Sequence, residues 1–321
     1  MLGPDDVGHR VVVRRVVGGT PDRPLRSDLL GDLVALTDRE LTVATRNGPV
    51  TVARQAVVAA KRVPPPPVSR ADVTALEQAA DEAWPAPECE RLGDWRLRAA
   101  EGWSRRGNSA LPLGDPGVPL PEAIDAVADW YHRRHLRPMI TVPLPLAAPV
   151  DAALTERGWG AHPRVLVQTA SLAALDEAAP RRPDLPEVHL AETPSPDWLA
   201  LAAGRKGALS PAAHHLLAAG GRAPVRFAHL RDQAGRLLAI GRGSVTGAGR
   251  WLGLMMIEVV PDARRRGLAT HVIRALADWG GRRGAGAVFL QVEEHNTAAV
   301  ALYRRLGFTT HHRYVTRYLP G

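Results

Sequence analysis

The densest chemistry in this chain lies in WLGLMMIEVVPDARRRGLA, from Trp251 to Ala269. From Trp251 to Val260 the run is apolar and β-prone apart from one acid, Glu258. Pro261 has no N–H to give to a ladder and ends the strand. Arg264, Arg265, Arg266, Gly267, Leu268 and Ala269 follow, and Thr270 to Arg283 continue with helical periodicity. A helix that starts there leaves its first N–H groups unpaired and pointing back along the strand, beside the positive end of its dipole. That is a site for a polyphosphate. Gly267 lets the backbone approach phosphate, small Ala269 stays clear of it, and three arginines add counter-charge. A lone carboxylate in an apolar strand is costly unless it is paired or shifted in pKa, which marks Glu258 as a candidate functional acid.

A second polar run, Asn296-Thr-Ala-Ala-Val-Ala-Leu-Tyr303-Arg-Arg-Leu-Gly307-Phe308, begins 27 residues after Ala269. Asn296 is a good helix cap, and Tyr303 lies seven residues on, two turns along the same face. Arg264-x-x-Gly267-x-Ala269 after a Val-x-Pro strand resembles the pyrophosphate motif of the GNAT superfamily of N-acetyltransferases. The Asn296–Phe308 run resembles that superfamily's second signature, in the right order and spacing.

The resemblance implies an enzyme that moves an acetyl group from acetyl-CoA to an amine. Such a transfer needs a neutral amine, a donor for the oxyanion, and a proton for the leaving thiolate. A splay between the central strand and the next would take the pantetheine arm, held by the backbone of Ile257, Val259 and Val260. The N–H groups of Arg266, Gly267, Leu268, Ala269 and Thr270 would hold the pyrophosphate, with Arg264 and Arg265 adding charge. Asn296 would touch the cofactor, and Tyr303 would protonate the coenzyme A thiolate. Either Glu258 or a chain of waters would serve as base. The acceptor stays open between a small amine and an amine of a peptide or protein. An acetyl-CoA-binding sensor or scaffold without turnover is the alternative, against which the intact Asn296 and Tyr303 argue.

Positioning these residues requires a mixed α/β unit over about 186–321. Glu187–Glu192 is expected as a strand, Pro196–Ala203 and the helix capped by Ser210 as helices, and Val225–Arg231 with Arg236–Val245 as a hairpin. Ala287–Val292, Asn296–Leu306 and Arg313–Leu319 complete the order. Residues 68–180 read as a copy. A shift of 149 residues sets Pro112 on Pro261, Ala128-Asp129-Trp130 on Ala277-Asp278-Trp279, and Gly158-Trp159 on Gly307-Phe308. It makes 12 of 53 positions identical between 112–164 and 261–313, where this composition gives about a tenth by chance. The copy has Asp115 to Leu120 opposite Arg264 to Ala269, Ala147 opposite Asn296 and Leu154 opposite Tyr303. It keeps the core and lacks the chemistry, so it should pack against the second unit and supply part of the acceptor cleft. The expected fold class is thus α+β / α/β, two tandem GNAT-like mixed-sheet units with the first degenerate.

Ahead of them, residues 1–63 carry short β-rich runs at Arg10–Val17, Gly31–Thr37, Leu41–Arg46 and Val50–Ala53. The Asn47-Gly48 pair is a hairpin signal. They are expected to form a small barrel that resembles the SH3-like barrels found before some tandem GNAT proteins. Pro64–Pro67 reads as a stiff linker, and Ser69 as the cap of a helix through about Ala83.

Composition narrows the rest. Among 321 residues, 45% are hydrophobic, enough for ordinary cores in two or three domains. No apolar run approaches the ~20 residues of a membrane span, and the N-terminus lacks the layout of a signal peptide. A cytoplasmic location is the expectation. Cys89 is the only cysteine, so no intramolecular disulfide forms, and its acidic neighbours suggest a buried or inert thiol. The charge of +8 is nearly all arginine, scattered without a tract, which disfavours a nucleic-acid partner. His271 is expected at the surface. The adjacent pairs His214-His215 and His311-His312 should point apart, so no metal is expected.

Overall fold

The computed structural model describes residues 2–20, 22–45, 47–64, 68–206, 209–218 and 223–321. Most of the expected linker, residues 65–67, and Arg46 at the end of one expected strand lie outside them. Two compact units result, Met1–Pro67 and Val68–Gly321.

The first unit is antiparallel throughout. It contains β1 (Arg10–Thr20), β2 (Arg23–Leu36), β3 (Glu40–Thr45), β4 (Gly48–Ala53) and, after a 3-10 turn at Arg54–Ala56, β5 (Val57–Arg62). The order is β4-β3-β2-β1-β5. Alternate residues Val11 and Val13, Leu41 and Val43 face one small core with Leu33 and Val52, as the two-residue period of a strand requires. The Asn47-Gly48 hairpin forms, with Gly48 at φ +108 and the Thr45 hydroxyl donating to the Gly48 carbonyl at 2.8 Å. Two features differ from expectation. β2 begins at Arg23 rather than Gly31, because the long β1 offers it a partner as far as Thr20. β4 and β5 end the hydrogen-bonded path, so the sheet is open rather than a closed barrel.

The second unit begins with α1 (Arg70–Glu82), capped as expected: Ser69 Oγ accepts from Asp72 N–H at 3.1 Å, and Asp72 reaches back to the Ser69 N–H. A hairpin that the sequence reading did not anticipate follows, β6 (Glu88–Leu92) and β7 (Trp95–Ala99). Next come α2 (Leu120–His132), β8 (Met139–Leu144), α3 (Ala148–Glu156), β9 (Gly160–Ala161), β10 (Val165–Ser171) and α4 (Leu172–Ala178). The chain continues as β11 (Val188–Ala191), α5 (Pro196–Lys206), α6 (Pro211–Ala218), β12 (Val225–Arg231), β13 (Leu237–Thr246) and β14 (Trp251–Val259). It ends with α7 (Leu268–Arg282), β15 (Ala287–Glu293), α8 (Thr297–Arg305) and β16 (Thr309–Tyr318).

One sheet runs through this unit in the order β11-β12-β13-β14-β15-β10-β16-β8, with β9 on β16. Only the β14–β15 pair is parallel along that path. Moved by the offset that sets Pro112 on Pro261, α2, β8 and α3 fall almost end to end on α7, β15 and α8, and most of β10 falls on β16. The sheet does not divide near 180–186. β10 lies between β15 and β16, and β16 lies between β10 and β8, so each half places its last strand against the other half's preceding strand.

The strand period sets the two faces. Val288, Leu290 and Val292 of β15 pack with Val272, Ile273 and Leu276 of α7. Phe289 faces the other way, into a cluster with Leu76, Ala79 and Ala80 of α1. α7 and α1 therefore cover opposite faces of the central strands.

Candidate functional site

The site begins where β14 and β15 part. Their parallel pairing runs from Trp251↔Ala287 to Leu254↔Leu290 and stops, although β14 continues to Val259 and β15 to Glu293. The cause lies on the other edge of β14. Its register with β13 shifts between Ile240↔Glu258 and Arg242↔Met255, and Met256 sits at φ +53 in the left-handed region. An extra residue in one strand bends that strand and strengthens its twist. Arg242 fixes β13 opposite the bulge. It is buried, donating to the carbonyls of Leu217 (2.9 Å) and Ala83 (2.8 Å) at the ends of α6 and α1, and burial pushes its pKa down to about 9. A cation suits those helix ends.

A cleft of about 1430 Å³ opens from the splay. Ile257, Glu258 and Val259 line one wall, and Gln291, Val292 and Glu293 the other. At one end stands the start of α7. Gly267 is its N-cap at φ +83, and the first bond of the helix runs from His271 N–H to the Gly267 carbonyl at 3.0 Å. The amides of Leu268, Ala269 and Thr270 therefore open toward the cleft, which they line together with Arg264, Arg265 and Gly267. Arg264 also donates to the Val259 carbonyl at 3.2 Å. Asn296 and Tyr303 reach the same cleft from α8. Asn296 caps it by accepting from Ala299 N–H at 3.2 Å, and the Tyr303 ring packs 5.7 Å from Phe308.

Of the residues named from the sequence, two fall outside. Val260 is committed elsewhere, its N–H donating to the Leu238 carbonyl at 2.9 Å and its carbonyl accepting from Ala263 at 3.0 Å. Those bonds use its N–H and one lone pair of its carbonyl, and it is not among the residues that line the cleft. Arg266 is exposed and is not part of the cleft wall. Its neighbours Arg264 and Arg265, also exposed, follow the turn Pro261–Ala263 and line the cleft.

The sequence reading missed the wall supplied by the first half, Trp84, Trp103, Ser104, Arg105 and Arg106. It foresaw only that the first half would contribute, since nothing local ties these residues to positions so far along the chain. Arg106 donates to Gln291 Oε1 at 2.6 Å, and Arg105 pairs with Glu293. Burial lowers the pKa of Arg106, and burial pushes Tyr314, which donates to Gln291 at 3.1 Å, up to about 12.

Three further expectations change. Cys89 is exposed rather than buried, and its thiol is still raised in pKa, by partial desolvation and then by Asp81. His271 is half-buried, with Nε2 at 3.0 Å from the Pro186 carbonyl. The His311 and His312 rings touch, Nδ1 to Nδ1 at 2.9 Å, because the β10–β16 register skips His311 and the bulge breaks the alternation. His312 turns inward to Glu77 at 2.9 Å. Burial would raise the Glu77 pKa, but the His312 contact together with the Arg106 and Arg98 cations holds it below the ordinary value. Among the described residues, no group of three or more His, Cys, Asp or Glu could hold a metal, and no helix is long and apolar enough to cross a membrane.

Comparisons with known proteins bear on the family and the fold. Residues 70–319 match the family model described as "Probable histone acetyltransferase Rv0428c C-terminal". The chain is 33% identical over 325 residues to the "Probable histone acetyltransferase Rv0428c" of Mycobacterium tuberculosis, covering 98% of this chain and 95% of that protein. It is 29% identical over 257 residues to the "Uncharacterized N-acetyltransferase YobR" of Bacillus subtilis, covering 77% and 99%. Among solved structures, a GCN5-related N-acetyltransferase from Kribbella flavida superposes with a TM-score of 0.58 at 16% identity, over 80% of this chain and 97% of that one. A tandem GNAT protein from the clavulanic acid biosynthesis pathway gives 0.50 at 19% identity, over 78% and 89%.

Proposed function

The chain belongs to the GNAT-type N-acetyltransferases, in the family of the Rv0428c C-terminal region, and we propose that it transfers the acetyl group of acetyl-CoA directly to a primary amine. One observation carries the reading. The end of β14–β15 pairing at Leu254–Leu290 and the amide end of α7 open on one cleft, a slot for an extended arm with an anion site at its mouth.

Acetyl-CoA would supply an activated thioester, and the chain's residues would do the rest. The amides of Leu268, Ala269 and Thr270, with Arg264 and Arg265, hold the pyrophosphate. The backbone of Ile257 and Val259 aligns the arm along the splay. Glu258, in the same wall, or water beside it takes the proton that the amine sheds. Tyr303 gives its phenolic proton to the departing sulfur. A phenol near pKa 10 is a weaker acid than an alkyl thiol near 8.5 by about 2 kcal/mol. The contribution of Tyr303 therefore belongs at the lower end of general-acid effects, about 10²-fold.

The architecture is read in the same way. The constant offset between the two halves and the interleaved β10 and β16 support taking 68–180 as a degenerate GNAT-like copy of the catalytic unit 186–321. The strand order of residues 1–63 and the 3-10 turn before β5 support an SH3-like unit joined by a proline linker.

A thiol-release assay with acetyl-CoA against pooled amines and peptides tests the proposal. Wild type should turn over, and Tyr303→Phe should lose about 10²-fold in kcat with acetyl-CoA affinity within a few-fold. Equal rates would remove Tyr303 from the mechanism. Acetyl-CoA binding without turnover on any amine would favour a sensor.

A further inference from the structure

The first half brings Trp84, Trp103, Ser104, Arg105 and Arg106 to the cleft wall. Gln291 follows Phe289 on the face of β15 that looks away from α7, so it stands across the sheet from the proposed pyrophosphate end. An acceptor would enter from that side. Arg106 reaches Gln291 from the turn Arg106–Asn108, and Asn108 fixes that turn. The buried Asn108 Oδ1 accepts from Ala100 and Gly102 N–H, each at 2.8 Å, and its Nδ2 donates to the Ser104 carbonyl at 2.7 Å.

Gln291 Oε1 accepts from both Arg106 Nη1 and the Tyr314 hydroxyl, which uses both of its lone-pair directions and turns Nε2 away. Nε2 of Gln291 and Nη2 of Arg106 are both buried with no hydrogen-bond partner among the described residues. Buried donors without acceptors are rare in folded chains and call for an explanation. Here there are two, on side chains bonded to each other, in the wall of a cleft.

We infer that Arg106 Nη2 and Gln291 Nε2 form a carboxylate subsite, so that the acceptor amine belongs to a molecule that also carries a carboxylate. The inference rests on the acetyltransferase reading above. Two adjacent N–H donors, one of them cationic, suit the two oxygens of a carboxylate. The nearby acids do not fill the role, since Glu293 pairs with Arg105 and Glu77 with His312. Those same acids make the site hostile to a phosphate dianion, and a singly charged carboxylate costs less there. A free amino acid and a short peptide with a carboxylate near its amine both satisfy the chemistry.

Matched acceptors decide it: an amino acid, its carboxamide and its decarboxylated amine, all with one side chain, and the corresponding dipeptides. The quantity read is kcat/KM for thiol release, corrected to the neutral amine fraction. Wild type should favour the carboxylate over the decarboxylated amine by about 10- to 100-fold, the worth of charge-assisted hydrogen bonds. Gln291→Glu keeps an acceptor for Arg106 and Tyr314 but sets a negative charge where the Nε2 donor stood. It should abolish or reverse the preference, while its melting temperature and acetyl-CoA affinity report on folding. Arg106→Lys, which keeps charge and loses the fork, should reduce the preference without reversing it. Equal rates across the acceptors in wild type, as a trapped water on the two donors would give, overturn the subsite alone. So does a preference that survives in Gln291→Glu. No thiol release from wild type with any amine overturns the acetyltransferase reading and the subsite with it.

Discussion

Replacing Gly267 separates backbone strain from charge at the mouth of the cleft. The residue sits at φ +83 as the N-cap of α7. An L side chain in that region costs about 1–2 kcal/mol. A Cβ there would meet Arg182 Nη1 at 3.0 Å, the far end of a flexible side chain paired with Asp184 that can shift by a few tenths of an ångström. Gly267→Ala should therefore lower the melting temperature by about 2–8 °C, at about 2–4 °C per kcal/mol for a unit of this size. Gly267→Asp should lower it less, because aspartate tolerates the left-handed region by hydrogen-bonding locally. Ligand affinity should run in the opposite order. A carboxylate about 6 Å from a phosphate charge, at an effective dielectric of about 20, costs roughly 2.8 kcal/mol, or about 100-fold in Kd. Alanine adds no charge and should cost less than about 10-fold by the same argument. Calorimetric titration of acetyl-CoA and thermal denaturation of both variants measure the two quantities. Raising the salt to about 1 M, where the screening length is about 3 Å, should shrink the aspartate penalty and leave the alanine effect alone. Equal, salt-independent losses in the two variants would mean that strain, not charge, sets the affinity, and an unimpaired Gly267→Asp would refute the anion site.

Two other predictions concern the supports of the site. Asn108→Ala strips partners from the Ala100 and Gly102 amides and the Ser104 carbonyl, at about 1–3 kcal/mol per buried group. A loss of about 3 kcal/mol is expected after partial relaxation, and because the same turn carries Arg106, the acceptor KM should rise while acetyl-CoA affinity holds. A full-stability variant would show that the turn is held by something else. His311 is pushed down to about 4 by burial and then by His312, from an ordinary value of 6.5. Between those values a falling pH protonates the unfolded chain and not the folded one, so stability drops from about pH 6.5 to about 4. The lowered Glu77 adds a further loss below its unfolded pKa, where acid protonates the carboxylate that His312 holds. His311→Gln should flatten the first part of that slope in urea unfolding, and an unchanged slope would count against it.

Much of the chain after residue 68 was legible because its signals are local. Pro261 after an apolar run marked the end of β14, Ser69 with Asp72 marked the start of α1, and Asn296 marked the start of α8. Each depends on a few neighbouring residues and the hydrogen bonds they make with their own backbone. The constant offset was legible too, since matching residues at a fixed spacing are a property of the string, and the elements that it pairs coincide in the fold. His311 and His312 show where local rules fail, because alternation holds only in an unbroken ladder, and a bulge on β16 removes it.

The sequence by itself determined the elements of the catalytic half, the residues that could hold a polyphosphate, and the family that those residues resemble. Only the tertiary structure decided where the sheet opens, that β10 fills the space between β15 and β16, and that Val260 and Arg266 stand outside the cleft. It alone brought Arg106 to Gln291 across 185 residues. The reason is physical. Caps and periodicity are fixed by bonds within one or two turns of chain, whereas register, bulges and the meeting of distant side chains depend on which strand packs beside which. That choice is set by burying a shared core, and no short stretch of sequence contains it.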